Sequence, residues 1–221
     1  MKIGFIVAME NEYAPFLSSL GDCIATDVLC GMEFSTYAFA EKQIVLAKCG
    51  IGEIAAASAT ALCIGSFGCD YIVNFGLVGS LGNHALSTCV RVKDVVHYDC
   101  DLTAFGQPLG QPADRKEVYF PADDQPISDA LSTLPAVRLA SGDKFISDTA
   151  LKNNLVSVFS ADICDMEGAG IAITCARSGV PFTMIKLVSD SADDVAAQTF
   201  SLSKTQAFGT AVDVVLSLLK R

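Results

Sequence analysis

Apolar positions in this chain follow two rhythms. Short unbroken runs at Ile3–Ala8, Tyr71–Phe75 and Phe182–Val188 have the length and continuity of strands buried on both faces. Phe34–Phe39 and Gln43–Lys48 read as a strand pair joined at Glu41-Lys42, and Val92–Tyr98, Val137–Ser141 and Ala161–Cys164 as further strands. Longer stretches at helical spacing predict helices from about Asn11 to Leu20, from Gly50-Ile51-Gly52 to about Phe67, and over Asp148–Val158, Glu167–Ser178 and Ser203–Lys220. Gly76–Gly82 reads as a glycine-punctuated loop. Residues 99–124 hold five glycines and prolines without a long periodic run, which predicts an extended loop. Strands alternating with helices imply an α/β fold, a three-layer α/β/α sandwich around a mixed, largely parallel sheet. No repeat, low-complexity tract or linker interrupts the pattern, so residues 1–221 read as one domain.

Composition narrows the choice of partner. The 221 residues are 51% hydrophobic and 18% charged, which excludes disorder. Twenty-five acidic residues against fifteen basic give a net charge of −10, a surface that repels nucleic acid and anionic lipid and leaves a small ligand open. The nine cysteines are odd in number, form no C-x-x-C pair and sit mostly in apolar runs. With only two histidines they offer little to a metal and read as small buried hydrophobes in a reducing, cytoplasmic setting. The acids Glu10 and Glu12 follow the first apolar run too closely for a signal peptide. The uncharged stretch from Tyr71 to Val90 contains Asn74, Asn83, His84 and several glycines, too polar for a membrane span.

Four segments could carry chemistry, and each also has a plain structural reading. Ala8-Met9-Glu10-Asn11-Glu12 follows the first strand. Its acids suit a helix's first turn, or face the crevice at strand C-termini where α/β folds bind ligands. In Gly76–Gly82 the glycines recur every third residue, matching neither a dinucleotide nor a P-loop fingerprint. They make either a tight turn or a close backbone approach to a ligand. Asp165-Met166-Glu167-Gly168-Ala169-Gly170 sets two acids before a small-residue helix. Lys186 to Asp193 ends the most apolar strand with Ser189-Asp190, a pair equally at home in a turn.

Taken in order, and with Ser141-Gly142-Asp143-Lys144-Phe145-Ile146, Gly50-Ile51-Gly52 and Asp99–Gly106, these segments resemble the methylthioadenosine/S-adenosylhomocysteine nucleosidases of the purine nucleoside phosphorylase superfamily. The resemblance runs from Met1 to the last helix. It implies a nucleoside phosphorylase-like fold and hydrolysis of the bond between adenine and a 5′-substituted ribose, with no cofactor and no metal. Glu12 matches the general base, Asp190 the acid that protonates purine N7, and Ser189 its support. Glu167 matches the carboxylate that binds the ribose hydroxyls, and Met166 lines the sugar. Phe145 matches the ring stacked on adenine, Ile146 the backbone reader of the base edge, and Gly79 the ligand-facing loop position. Met9 and Phe200 match apolar pocket positions, and Phe105 one supplied by the neighbouring subunit of a homodimer.

The chain departs from that pattern at Leu77, where the family has a small hydroxyl residue, at Ser80 for glycine, at Lys186 for arginine and at Gln107 for an aromatic. Three functions follow: a nucleosidase, a phosphorylase of the same superfamily, or a nucleoside-binding protein without turnover. No arginine precedes Arg91, so the N-terminal loop and Gly76–Gly82 lack the cations that would hold phosphate, and water is the expected nucleophile.

Overall fold

The computed structural model describes residues 1–123, 131–203 and 208–220. Ten strands and six helices are described. In chain order they are β1 (Lys2–Val7), α1 (Glu10–Leu17), β2 (Cys23–Leu29), β3 (Met32–Phe39), β4 (Lys42–Lys48), α2 (Glu53–Gly65), β5 (Tyr71–Ser80) and β6 (Cys89–His97). There follow β7 (Tyr119–Pro121), β8 (Ala136–Ser141), α3 (Thr149–Phe159), β9 (Ile163–Asp165), α4 (Gly168–Ser178), β10 (Phe182–Asp190), α5 (Ala196–Ser203) and α6 (Phe208–Lys220).

One mixed sheet holds all ten strands, in the order β10-β6-β8-β9-β5-β1-β4-β3-β2, with β7 beside β6. Because β10 also pairs in parallel with β5, the path β10-β6-β8-β9-β5 returns to its start and closes a five-stranded ring. β1, β4, β3 and β2 extend from that ring as an open wing. Along β1, Ile3, Phe5 and Val7 face one core with Phe16 of α1 and Val212, Val215 and Leu219 of α6. Ile6 faces the other core, with Ala56 and Cys63 of α2 and Ile171 and Cys175 of α4. This alternation on a doubly buried strand puts helices on both faces of the sheet, the expected three-layer arrangement. A third cluster joins Val96 and Ala140 to Leu155 and Phe159 of α3.

The expected boundaries mostly stand, with four corrections. Gly76–Gly82 is not a loop through most of its length, since β5 runs on to Ser80 and all ten of its residues are buried. Gly76 and Gly79 make room for neighbours rather than for a turn: a Cβ at Gly76 would lie 3.3 Å from Glu12 Oε1, and one at Gly79 would lie 2.9 Å from both Asp190 Oδ1 and Ala192 Cβ. The stretch 99–124 holds a 3₁₀ turn at Thr103–Phe105 and the edge strand β7, and its last residue lies outside the described residues. β2 and α5 were not expected. Of the helix expected over Ser203–Lys220, residues 204–207 lie outside the described residues, Ser203 ends α5, and α6 begins at Phe208. Five of the nine cysteines are buried, while Cys23 and Cys30 are exposed. Among the described residues no helix is long and apolar enough to cross a membrane.

Candidate active site

At the C-terminal ends of β1, β5 and β10 the chain surrounds a cavity of about 350 Å³. Ten of the eleven residues singled out from the sequence line it; Phe105 does not.

Glu12 enters from the first turn of α1 and is 1% exposed. Its Oε2 accepts the backbone N–H groups of Ala8 (3.0 Å) and Met9 (2.9 Å), which is a capping arrangement. Its Oε1 accepts a third N–H, from Leu77 on β5 (2.9 Å), so the carboxylate is tied to the sheet as well as to its own helix. Burial pushes the Glu12 pKa above its ordinary value, against the three N–H bonds and the nearby Lys186 ammonium. Glu10 points outward and pairs with Lys48.

Asp190 closes β10 across the cavity. The β10–β5 register slips between Val188 and Asp190, a bulge at Ser189 that re-aims the carboxylate beside Gly79. Asp190 Oδ1 accepts the Ala192 N–H (2.9 Å). Ser189 Oγ lies 3.1 Å from the Val78 carbonyl oxygen and 2.8 Å from Asp190 Oδ2. A hydroxyl has one proton. Given to the carbonyl, it leaves a lone pair facing Asp190 Oδ2, which favours the protonated acid. Burial raises the Asp190 pKa, against the Ala192 N–H and, whenever its proton turns that way, the Ser189 hydroxyl, both of which lower it. The two carboxyls therefore differ in their donors: three backbone N–H groups on Glu12, one on Asp190.

Glu167 stands at the N-cap position of α4, on the third side of the cavity, and its carboxylate accepts the Gly52 N–H (3.0 Å) rather than a helix N–H. Burial first, then the adjacent Asp165, lifts its pKa to about 8. Opposite lie Phe145, 41% exposed, and Phe200 of α5, their rings 5.8 Å apart at 67°. Ile146, Met9 and Met166 complete an apolar lining. Leu77 faces the cavity and also belongs to the core cluster of Phe5 and Phe16, so one side chain serves both the pocket wall and the core.

Several functional neighbours escaped the sequence reading. Asp165 lines the cavity and takes the Lys186 ammonium at 2.6 Å, with both side chains 1% exposed. Burial works against the Lys186 charge, yet Asp165, Glu167 and Glu12 together hold its pKa above the ordinary value. Ile51, Val78, Cys164 and Lys144 also face the cavity. Asp165, Ile51, Val78 and Lys144 lie inside segments that the sequence singled out without giving these residues a role, whereas Cys164 ends an apolar run and carries no distinguishing pattern. Among the described residues, no group of three or more His, Cys, Asp or Glu side chains is placed to hold a metal ion.

The model of the Phosphorylase superfamily matches residues 2–221. The chain belongs to that superfamily. Within the phosphorylase superfamily it is 33% identical, over all of its own length and 99% of the relative's, to a 5′-methylthioadenosine/S-adenosylhomocysteine nucleosidase of Shewanella loihica. The nucleosidase of that name from Helicobacter pylori superposes with a TM-score of 0.94 at 28% identity, covering 99% of this chain and 97% of that one. It was solved with an aminopyrrolopyrimidine carried on a pyrrolidinol that bears a prop-2-ynylthiomethyl group. The futalosine hydrolase of the same organism superposes at 0.92 with 28% identity, covering 99% and 97%. The superfamily fold thus extends over the whole chain, and the sequence-based reading of family and fold is borne out.

Proposed function

We propose that this protein, a single domain, hydrolyses the N-glycosidic bond of 5′-substituted adenine nucleosides such as 5′-methylthioadenosine and S-adenosylhomocysteine. The observation that carries the reading is one cavity faced by two buried carboxyls with unlike donor sets, Glu12 and Asp190, beside a third at Glu167. Phe145 and Phe200 form a slot for the purine. Asp190, kept protonated, gives its proton to N7 as the bond to C1′ breaks and negative charge gathers on the leaving base. Glu12, its charge supported by three N–H groups and Lys186, takes a proton from the water that attacks C1′. Glu167 accepts from the ribose hydroxyls. Met9, Met166 and Leu77 suit a thioether at the 5′ position. The products are adenine and the 5′-substituted ribose.

Water is favoured over phosphate because, among the described residues, no arginine lines the cavity, Lys144 is the one lysine lining it, and the nearby Lys186 is already engaged by Asp165. Phe105 is 83% exposed on its 3₁₀ turn, and we read it as completing the site of a second copy in a homodimer. With the cysteines free, a reducing cytoplasmic setting and a role in salvage of adenine and methionine follow from the same reading. Incubation with methylthioadenosine, with and without phosphate, tests it. Adenine released without phosphate is expected. Release only with phosphate, or binding without release, would overturn it. A product profile across adenosine, inosine, methylthioadenosine and S-adenosylhomocysteine then reads out the preferred base and 5′ group.

A further inference from the structure

Behind the cavity, and reaching its wall at Asp165, runs a row of polar groups that are buried except for the half-buried His97. The register places His97 of β6 beside Ser141 of β8, and Ser141 beside Asp165 of β9. Beneath them, Glu53 projects from the first turn of α2 and is 7% exposed. Ser141 Oγ is 2.5 Å from Glu53 Oε1 and 2.5 Å from Asp165 Oδ1. Three oxygens joined by two hydrogen bonds need two protons, and the serine supplies one. The other must sit on a carboxyl.

The surroundings say which. Asp165 receives the Lys186 ammonium (2.6 Å) and the N–H of Gly168 (3.1 Å), so it carries the charge. Among the described residues, Glu53 Oε2 receives only the backbone N–H of Gly170. That approach is so close that a Cβ at Gly170 would lie 2.9 Å from Glu53 Oε2.

We propose that Glu53 is a positioning residue for the reaction: in its protonated form it donates to Ser141, Ser141 donates to Asp165, and Asp165 fixes Lys186 beside Glu12. This rests on the nucleosidase reading of the Glu12 site. Gly76 faces Glu12 and Lys186 together, since a Cβ there would lie 3.3 Å from Glu12 Oε1 and 3.6 Å from Lys186 Nζ. If Glu53 loses its proton, two anions compete for one serine hydrogen and Asp165 can lose a donor. The cation that supports the ionised base is then held less firmly.

Other groups face Glu53 from the elements around it. Asp165 and burial oppose its charge, with burial the larger, while Ser141, the Gly170 N–H and His97 favour it. The balance lifts the Glu53 pKa to about 7. His97 is itself paired with Asp99 (2.9 Å). Tyr98 is near enough to sense the Glu53 charge, and Asp143 accepts the Glu53 backbone N–H (2.8 Å). Arg177 of α4, on the rim of the outer cavity that Glu53 also lines, is paired with Asp114.

E53Q imitates the protonated state, since its amide can donate to Ser141 and accept from Gly170, whereas E53A can do neither. If the neutral form is required, a group titrating near 7 leaves about one wild-type molecule in eleven competent one pH unit higher. The ratio of kcat for E53Q to wild type should therefore rise roughly tenfold from about pH 6 to about pH 8. E53A should lower kcat at all pH values with little change in KM, because Glu53 touches no substrate. Stability gives a readout independent of turnover. A carboxyl whose folded pKa is raised contributes stability that is complete below its unfolded value and is lost as pH climbs through the folded one. Wild type should thus lose melting temperature relative to E53Q over the same interval. A kcat ratio within about twofold across that interval, or parallel melting curves, overturns the proposal. So does an E53Q protein that fails to fold, because glutamine is the isostere of the proposed resting state. If wild type hydrolyses no nucleoside, the nucleosidase reading falls, and the melting curves still decide where the proton sits.

Discussion

Replacing Glu12 by glutamine tests the proposed chemistry at its centre. The carboxylate takes two N–H groups on Oε2 and one on Oε1. Glutamine keeps one acceptor oxygen, which is best turned toward Ala8 and Met9, and so sets its amide against the Leu77 N–H. One buried donor left unmatched costs about 1–3 kcal/mol. That loss is offset in part because a charge is no longer buried at a site where burial raises the pKa. The fold should therefore survive with a lowered melting temperature. Catalysis should not survive, since an amide takes no proton from water. Loss of a general base costs about 10²–10⁴ in rate, roughly 2.7–5.4 kcal/mol of barrier. Adenine release from methylthioadenosine, followed by chromatography, should fall by that factor. Calorimetric titration of the intact nucleoside should still show binding, because Phe145, Glu167 and Asp190 are untouched. Turnover within about tenfold of wild type in a folded E12Q protein would refute the assignment of Glu12 as the base.

Three further outcomes are expected. L77S, which restores a hydroxyl at a position 9% exposed on the cavity wall, should raise kcat/KM about fivefold through a hydrogen bond of order 1 kcal/mol, while emptied core space lowers its melting temperature; unchanged or reduced kcat/KM would sink the pocket-facing role. G79A should lose both activity and stability, because its new methyl would lie 2.9 Å from Asp190 Oδ1 and 3.0 Å from Cys164 Sγ; wild-type kinetics in G79A would show that the strands give way freely. F105A should leave a dimer by light scattering but raise KM, and a fully active monomer would remove Phe105 from the site.

Much of this was legible in the chain because the site hangs on strand ends. β1, β4 and β10 announce themselves as apolar runs, and β10 ends on the polar pair Ser189-Asp190 that lines the cavity. β2 was illegible for the opposite reason. Cys23–Val28 is exposed on an edge strand paired only with β3, so no burial imposes an alternating pattern. β7 is three residues ending in proline. Glycines at 76 and 79 signal turns in isolation, and only the tertiary fold reveals the carboxyls and lysine pressed against them. Glu53 and Ser141 are 88 positions apart, a separation at which pattern carries no information.

The ring closed by β10 also bears on how such a chain can change over generations. A strand hydrogen-bonded on both sides cannot absorb an inserted or deleted residue by sliding, because every side chain beyond the change would exchange faces. For β10 that exchange would swing Lys186 away from Asp165 or Asp190 away from the cavity. Drift in length is therefore confined to connections such as that between Ser80 and Cys89, and a lineage that preserves the chemistry is bound to keep the residue count of β5 and β10. The bulge at Ser189 belongs to that fixed count, as much a part of the inheritance as the acid it aims.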